Sequence, residues 1–284
     1  MRITASRQST LTWAEAQSTF AHPAFDSIRS SLSALSAFDP LMWPTLERLN
    51  QLAIGTSNYR HAPIRFINPD PDDAQLHYET RIAVHGLIAT RENWHDLFNA
   101  IAWLGFPRAK AAISEMHARF ISNHGEPELK HRSPERDVLT LFDEGGAVVF
   151  CDDEKLLDLV RGFHWKALFW ERRAAVAKHM RIVIFGHSLF EKMLAPYVGI
   201  TAKSILVPVP SGGLKELARL AEVDARLAET FLDPQNLAST SILAPLPILG
   251  WPGWCAETEN ESFYGIASYF RSGRALGRQG RKVQ

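Results

Sequence analysis

The chain has 284 residues, 46% of them hydrophobic, enough to bury a sizeable core, so disorder cannot describe the whole of it. Its 31 Lys plus Arg balance 31 Asp plus Glu, which removes any global electrostatic case for nucleic acid or an anionic membrane and leaves only local basic patches. Two cysteines, Cys151 and Cys255, without Cys-x-x-Cys spacing exclude a disulfide framework and a cysteine zinc site.

In chain order, residues 1–25 mix polar and acidic groups without the apolar stretch of a signal peptide, and they are expected to form a poorly ordered leader. No segment reaches about 18 unbroken apolar residues, so the expected setting is soluble and cytoplasmic, with no membrane partner. "FDPLMWPTLERLNQLA" predicts a short surface helix with Pro44 at its first position. "APIRFINP" and "HYETRIAVHGLIA" alternate like strands around the turn-rich "PDPDDAQ". "NWHDLFNAIAWLGFPRAKAAISEMHARF" is helical and must break or kink at Pro107. "VLTLFDEGGAVVFCDD" reads as a hairpin of two strands, which makes Asp143 and Glu144 turn residues, although paired carboxylates are the alternative.

Asp152 or Asp153 then caps a helical region through "EKLLDLVRGFHWKALFWERRAAVAKHM". "AKSILVPVP" is a strand candidate, and "GLKELARLAEVDARLAETFL" is an amphipathic helix. "ILAPLPILGWPGWCAETENESFYG" is expected to wrap the body as irregular chain, and residues 271–284 to form a basic flexible tail. The class is α+β: a mostly helical body with short antiparallel hairpins and an extended C-terminal segment, one domain over residues 26–270.

"RIVIFGHSLFEKML" raises the question of a catalytic serine. Gly186, His187 and Ser188 resemble a nucleophile elbow, but Phe190 replaces the final glycine, and no histidine follows His187 to act as base. The segment reads better as a buried helix in which His187 and Glu191 share a face and Gly186 permits close backbone packing. In the Asn93 helix, His95, Asn99 and Trp103 form a row opposite the Leu97, Phe98, Ile101 core stripe, with Asp96 beside it.

The blocks "TRENWHDLFNAIAWLGFPRAKAAI", "LTLFDEGG", "FHWKALFWERR" and "FGHSLFEKMLAPYVGITAK" are similar to those of a bacterial family catalogued as domain of unknown function 3025, over about Phe38 to Phe270. The resemblance supplies no activity and no cofactor. It implies that His187 and Glu191 belong to the family motif while the place of Ser188 is often Ala.

Eight of the 11 histidines fall between His85 and His187. His95, Asp96, His187 and Glu191 are therefore the candidate catalytic residues, either as acid/base groups or as ligands of a zinc, manganese or iron ion. Asn99, Trp103 and Lys192 are candidate substrate contacts. Each has a plainer reading: Asp96 as a helix-capping acid, and the histidines as interior groups bonded to Asn99 and Glu191. His117 and His164 lie among apolar helical residues. The aromatic block with Lys166, Arg172 and Arg173, and the tail with Arg271, Arg274, Arg278, Arg281 and Lys282, are possible nucleic-acid contacts that read more simply as core and solvated charge. These residues lead to an enzyme performing metal-assisted hydrolysis, with a divalent ion as cofactor and a small molecule or phosphoester as partner. The alternative is a binding or scaffold protein with the same residues in a buried polar network.

Overall fold

The computed structural model describes residues 11–69, 77–125, 128, 131–214 and 219–273. The leader segment from Leu11 packs against the body. Its helix α1 (Trp13–Ala16) begins with a capping box in which the Thr12 and Glu15 side chains each satisfy the other's backbone N–H. Trp13 and Phe25 are buried, Trp13 stacks on Trp94 with ring centroids 6.0 Å apart, and Trp94 Nε1 donates to the Leu11 carbonyl at 2.8 Å.

Helices α2 (Arg29–Phe38) and α3 (Leu46–Leu52) follow. Thr45, not Pro44, sets the start of α3, because its Oγ1 accepts from the Arg48 N–H. Strands β1 (Arg65–Ile67) and β2 (Leu87–Ala89) pair in parallel across helix α4 (Tyr78–His85). The strand expected over "HYETRIAVH" is thus a helix that buries Arg81, Ile82 and Ala83 and stops at Gly86, whose φ of 70° is left-handed. "PDPDDAQ" lies, beyond Pro69, outside the described residues.

Helices α5 (Trp94–Gly105) and α6 (Pro107–His124) separate at Phe106, as Pro107 requires. Asp224 supplies the missing cap for α6, accepting from the Arg108 and Ala109 N–H groups at 3.0 and 2.8 Å. The expected hairpin at "VLTLFDEGGAVVFC" is instead helix α7 (Pro134–Gly145) running directly into β3 (Gly146–Cys151). Ser133 caps α7, Pro134 opens it, and Val138, Leu139 and Phe142 face the core at helical spacing.

Helices α8 (Glu154–Arg161) and α9 (Arg173–His179) flank a five-residue π-helical turn at Ala167–Glu171. The apolar run of "RIVIFG", read as helix from the sequence, is strand β4 (Met180–Ile184), and only from His187 does helix α10 (His187–Leu194) begin. Strand β5 (Thr201–Pro208), helix α11 (Leu220–Leu232) and strand β6 (Ala244–Pro247) complete the named elements.

The main sheet has the order β4-β3-β5-β6, with β3 antiparallel to β4, parallel to β5, and β5 antiparallel to β6. Central β3 is buried along its length, as suits a strand covered on both faces. Its antiparallel partner arrives after two helices, so no tight turn joins them. The C-terminal segment is largely irregular and buries Trp251, Trp254, Tyr264, Tyr269 and Phe270; Tyr269 OH accepts from the Leu249 N–H and donates to the Ile200 carbonyl. Of the basic tail, residues from Arg274 on lie outside the described residues.

The start of α10 is held against the end of α7. A Cβ on Gly186 would stand 2.4 Å from the Gly146 nitrogen and 2.5 Å from the Glu144 oxygen, both rigid backbone. Gly186→Ala is expected to lower stability by about 1–3 kcal/mol through overpacking. Gly265→Ala, with nothing within 4 Å of the added methyl, should leave the urea midpoint nearly unchanged.

Candidate functional site

Three elements deliver the polar cluster. Asn93 caps α5 by accepting from the Asp96 N–H at 2.8 Å, which fixes the first turn and turns His95 toward α10. Gly186 admits the close contact above and places His187 at the first position of α10. The last turn of α7 presents Asp143 and Glu144 to both.

The two histidine rings meet edge to face, with centroids 4.6 Å apart and Nε2 atoms at 3.2 Å. Glu144 Oε1 lies 3.6 Å from His187 Nε2 and 4.0 Å from His95 Nε2. On the outer side, His95 Nδ1 meets Glu191 Oε2 at 3.3 Å. His187 Nδ1 is buried, forms no hydrogen bond of normal length, and faces Asp143 Oδ2 at 3.7 Å. Lys110 Nζ bonds Asp143 Oδ1 at 2.5 Å and Asn99 Oδ1 at 2.8 Å, and Asn99 Nδ2 donates to Tyr78 OH at 3.2 Å.

The two histidines are pushed in opposite directions. The hydrogen bond to Glu191 holds the His95 pKa above its ordinary value against the effect of burial. Burial pushes His187 down to about 3, with Asp143 opposing and Lys110 and His95 adding to the shift. A proton on His95 Nε2 facing the bare Nε2 of His187 fits both directions. Burial raises Glu144, with His95 opposing it. Burial also works against the Asp143 carboxylate, but Lys110 in contact with it outweighs that and keeps the pKa below normal.

All of these groups except Glu191 line a cavity of about 470 Å³ whose walls include Trp103, Arg91, Arg132 and Arg136. The residues named from sequence fall into place unevenly. His95 and His187 touch, and Glu191 joins them, but through His95 and not His187. Asp96 lines the cavity, yet its carboxylate accepts from the Arg91 N–H and side chain, a clamp that closes the turn before α5. Asn99 bonds Lys110 and Tyr78, not His95. Trp103 is buried in the wall, with Lys110 Nζ 5.8 Å from its ring centroid. Lys192 is half-buried on α10, where its charge favours the Glu144 carboxylate. Ser188 does not line the cavity.

Sequence reasoning discounted Asp143 and Glu144 as turn residues and passed over Lys110, Tyr78 and Glu79, the last pushed up to about 7 by burial and by Asp143. The signal for α7 was present as Ser133-Pro134 before an apolar i, i+1, i+4 pattern. Lys110, in an alanine-rich helix, gave none.

Among the described residues, one group has the donor set for a metal ion: His95, Glu144 and His187, with ligand atoms within 4.8 Å of one another. No helix among the described residues is long and apolar enough to cross a membrane. The molecule is thus an α+β protein with a His/Glu/His cluster at the mouth of a polar cavity. The family model described as "Protein of unknown function (DUF3025)" matches residues 64–274, and the chain belongs to that family. No curated protein and no solved structure matches it. The family description assigns no reaction.

Removing Lys110 leaves a buried carboxylate beside a buried imidazole. Lys110→Met is therefore expected to cost about 3–5 kcal/mol of stability. Lys110→Met with Asp143→Leu should recover most of that loss in denaturant titrations, because the orphaned charge is gone.

His117, at the inner wall, is held neutral. Burial and then Arg136 press its pKa from 6.5 down to about 3, and Arg136 Nε donates to its Nδ1 at 3.2 Å. A neutral His117 is no liability above pH 6.5, but below it the unfolded chain takes up a proton that the folded chain refuses. Stability should fall by about 1.4 kcal/mol per pH unit from this group between its two pKa values. Denaturation from pH 7 to 4 should give a slope one proton smaller in His117→Asn.

Proposed function

We propose that this protein is a metal-dependent hydrolase acting on a phosphoester, with His95 Nε2, His187 Nε2 and Glu144 Oε1 as ligands of a divalent ion such as zinc, manganese or iron. The observation that carries the reading is their separation. Metal–ligand distances near 2.0–2.2 Å in a tetrahedron set neighbouring ligand atoms about 3.3–3.5 Å apart, and the three atoms stand at 3.2, 3.6 and 4.0 Å. The ligands come from α5, α7 and α10, and three protein ligands leave a position open, as in catalytic rather than structural zinc sites.

A bound ion would supply a water of lowered pKa and a Lewis acid for a phosphoryl oxygen. The chain's own groups prepare the site. Glu191 at Nδ1 of His95 and Asp143 beside Nδ1 of His187 orient the rings so that both Nε2 atoms address one point. Lys110 fixes Asp143, and Asn99 fixes Lys110. Arg132 in the cavity wall is the cation there that could meet an anionic substrate, since Arg136 and Arg91 are paired with Glu128 and Asp96. Trp103 and Asn99 in the cavity wall serve as substrate contacts; Lys192, which does not line the cavity, acts through its charge on Glu144. Asp96 acts from outside, by holding the α5 start that carries His95.

Metal analysis of protein purified without added metal, together with zinc and manganese titration, tests the proposal. One equivalent of ion is expected, lost in His187→Ala and Glu144→Gln, with hydrolysis of bis(p-nitrophenyl) phosphate lost in parallel. Affinity should weaken as pH falls, since the ion must displace the proton that Glu191 stabilises on His95. Metal-free protein that takes up neither ion, and that loses only stability in His187→Ala, would leave a buried polar network in a non-enzymatic protein.

A further inference from the structure

At the opposite end of β3 from Glu144 stands a second histidine–carboxylate pair. His179 Nδ1 meets Asp152 Oδ1 at 2.7 Å, and Asp152 Oδ2 accepts from the Gly212 N–H at 3.1 Å. Asp152 is nearly buried, at 9% side-chain exposure, while a third of His179 is exposed. The six residues of β3 put the two clusters about 20 Å apart.

Two consequences follow from the contacts. With both carboxylate oxygens engaged, Asp152 cannot swing away, so the Nδ1 bond fixes the ring. A neutral ring that donates from Nδ1 carries its lone pair on Nε2, and Nε2 has no partner among the described residues. His179 lines a cavity of about 780 Å³ between β4 and the segment around Gly212. Its lining includes the apolar Leu214, Val223 and Trp251 and the cations Lys178 and Arg181, neither of which pairs with a carboxylate among the described residues. Asp26 also lines it but is paired with Arg29. The dyad lies beyond the carboxyl ends of the parallel strands β3 and β5, where open sheets with parallel strands present ligand sites.

We propose that His179, oriented by Asp152, is the general base of a second, metal-independent site that hydrolyses an acyl ester bearing an anionic group and an apolar body. Nε2 takes a proton from water as the water oxygen bonds to the acyl carbon. The carbon–oxygen bond to the leaving group then breaks, and the imidazolium returns the proton to the departing oxygen. Lys178 and Arg181 bind the anionic group, and the wall of Leu214, Val223 and Trp251 holds the apolar part.

The test uses the full chain with mono-p-nitrophenyl succinate, beside neutral p-nitrophenyl acetate, in the presence and absence of a chelator. Chelator-resistant hydrolysis above the free-imidazole rate is expected, with the succinate preferred. His179→Ala should lower kcat/KM by about 100-fold or more. Asp152→Asn, which keeps an oxygen for the Gly212 N–H, should lower kcat, whereas Arg181→Ala should raise KM for the succinate alone. Nitrogen-15 spectra of the neutral ring should place the proton on Nδ1. The proposal is overturned by a rate that survives His179→Ala in folded protein, by a proton on Nε2, or by no hydrolysis above the imidazole rate. A rate abolished by chelator or by His187→Ala assigns the hydrolysis to the metal centre and equally overturns it. Failure of the metal reading alone would leave these arms untouched.

Discussion

The contact on which the rest of the site depends is the absence of a side chain at Gly186. Its α-carbon sits against the backbone of Glu144 and Gly146, nearer than any Cβ allows, and both the Phe185 and Gly186 N–H groups donate to the Gly146 carbonyl. This stitches the end of β4 to the junction of α7 and β3. His187 follows Gly186 and Glu144 precedes Gly146 by two residues, so the two side chains are brought together by backbone packing. The leader segment does the same for the third element. By covering Trp94, Trp13 and Leu11 fix the end of α5 from which His95 projects.

Around that frame several buried charges among the described residues are answered by an opposite one. Lys110 answers Asp143, Arg136 answers Glu128, and Arg91 answers Asp96. Such pairs offset the desolvation of their own charges without adding much net stability. Their contribution is to orientation: a carboxylate held by Lys110 presents a fixed face to His187. Neutral His117 against Arg136 follows the same logic, since a cation beside a ring acceptor keeps the proton off it.

How much of this was legible in the sequence depends on whether local pattern or tertiary contact decided each element. Helices α5 and α6 and their break at Pro107, strand β5, and the α+β class follow from periodicity and proline chemistry, which act within a few residues. The polar row on α5 and the pair on α10 were legible for the same reason. The failures lie where short apolar runs fit two periods. "RIVIFG" has too few residues to separate a central-sheet strand from a buried helix. "HYETRIAVH" alternates in composition but is folded as a helix closed by Gly86. Misreading α7 as a hairpin hid Glu144, and pairing each polar residue with its nearest sequence neighbour assigned Glu191 to His187 and His95 to Asn99. The observed partners lie about 90 residues apart or on other helices, a distance over which no spacing rule operates.

The strongest reason to look for a cation at the histidine pair is a count of protons. One ligand atom from each of His95, His187 and Glu144 lies within 4.8 Å of the other two. The hydrogen bond to Glu191 favours a proton on His95, and burial disfavours a second one on His187, so at most one proton is shared between the two Nε2 atoms. One proton satisfies the 3.2 Å edge between the rings. It leaves Glu144 at 3.6 and 4.0 Å, beyond hydrogen-bond reach of both, with a side chain 44% exposed to water. On the proposed reading, a divalent ion would be held by these three atoms in place of that proton, with Glu191 and Asp143 on the far nitrogens keeping the rings aimed.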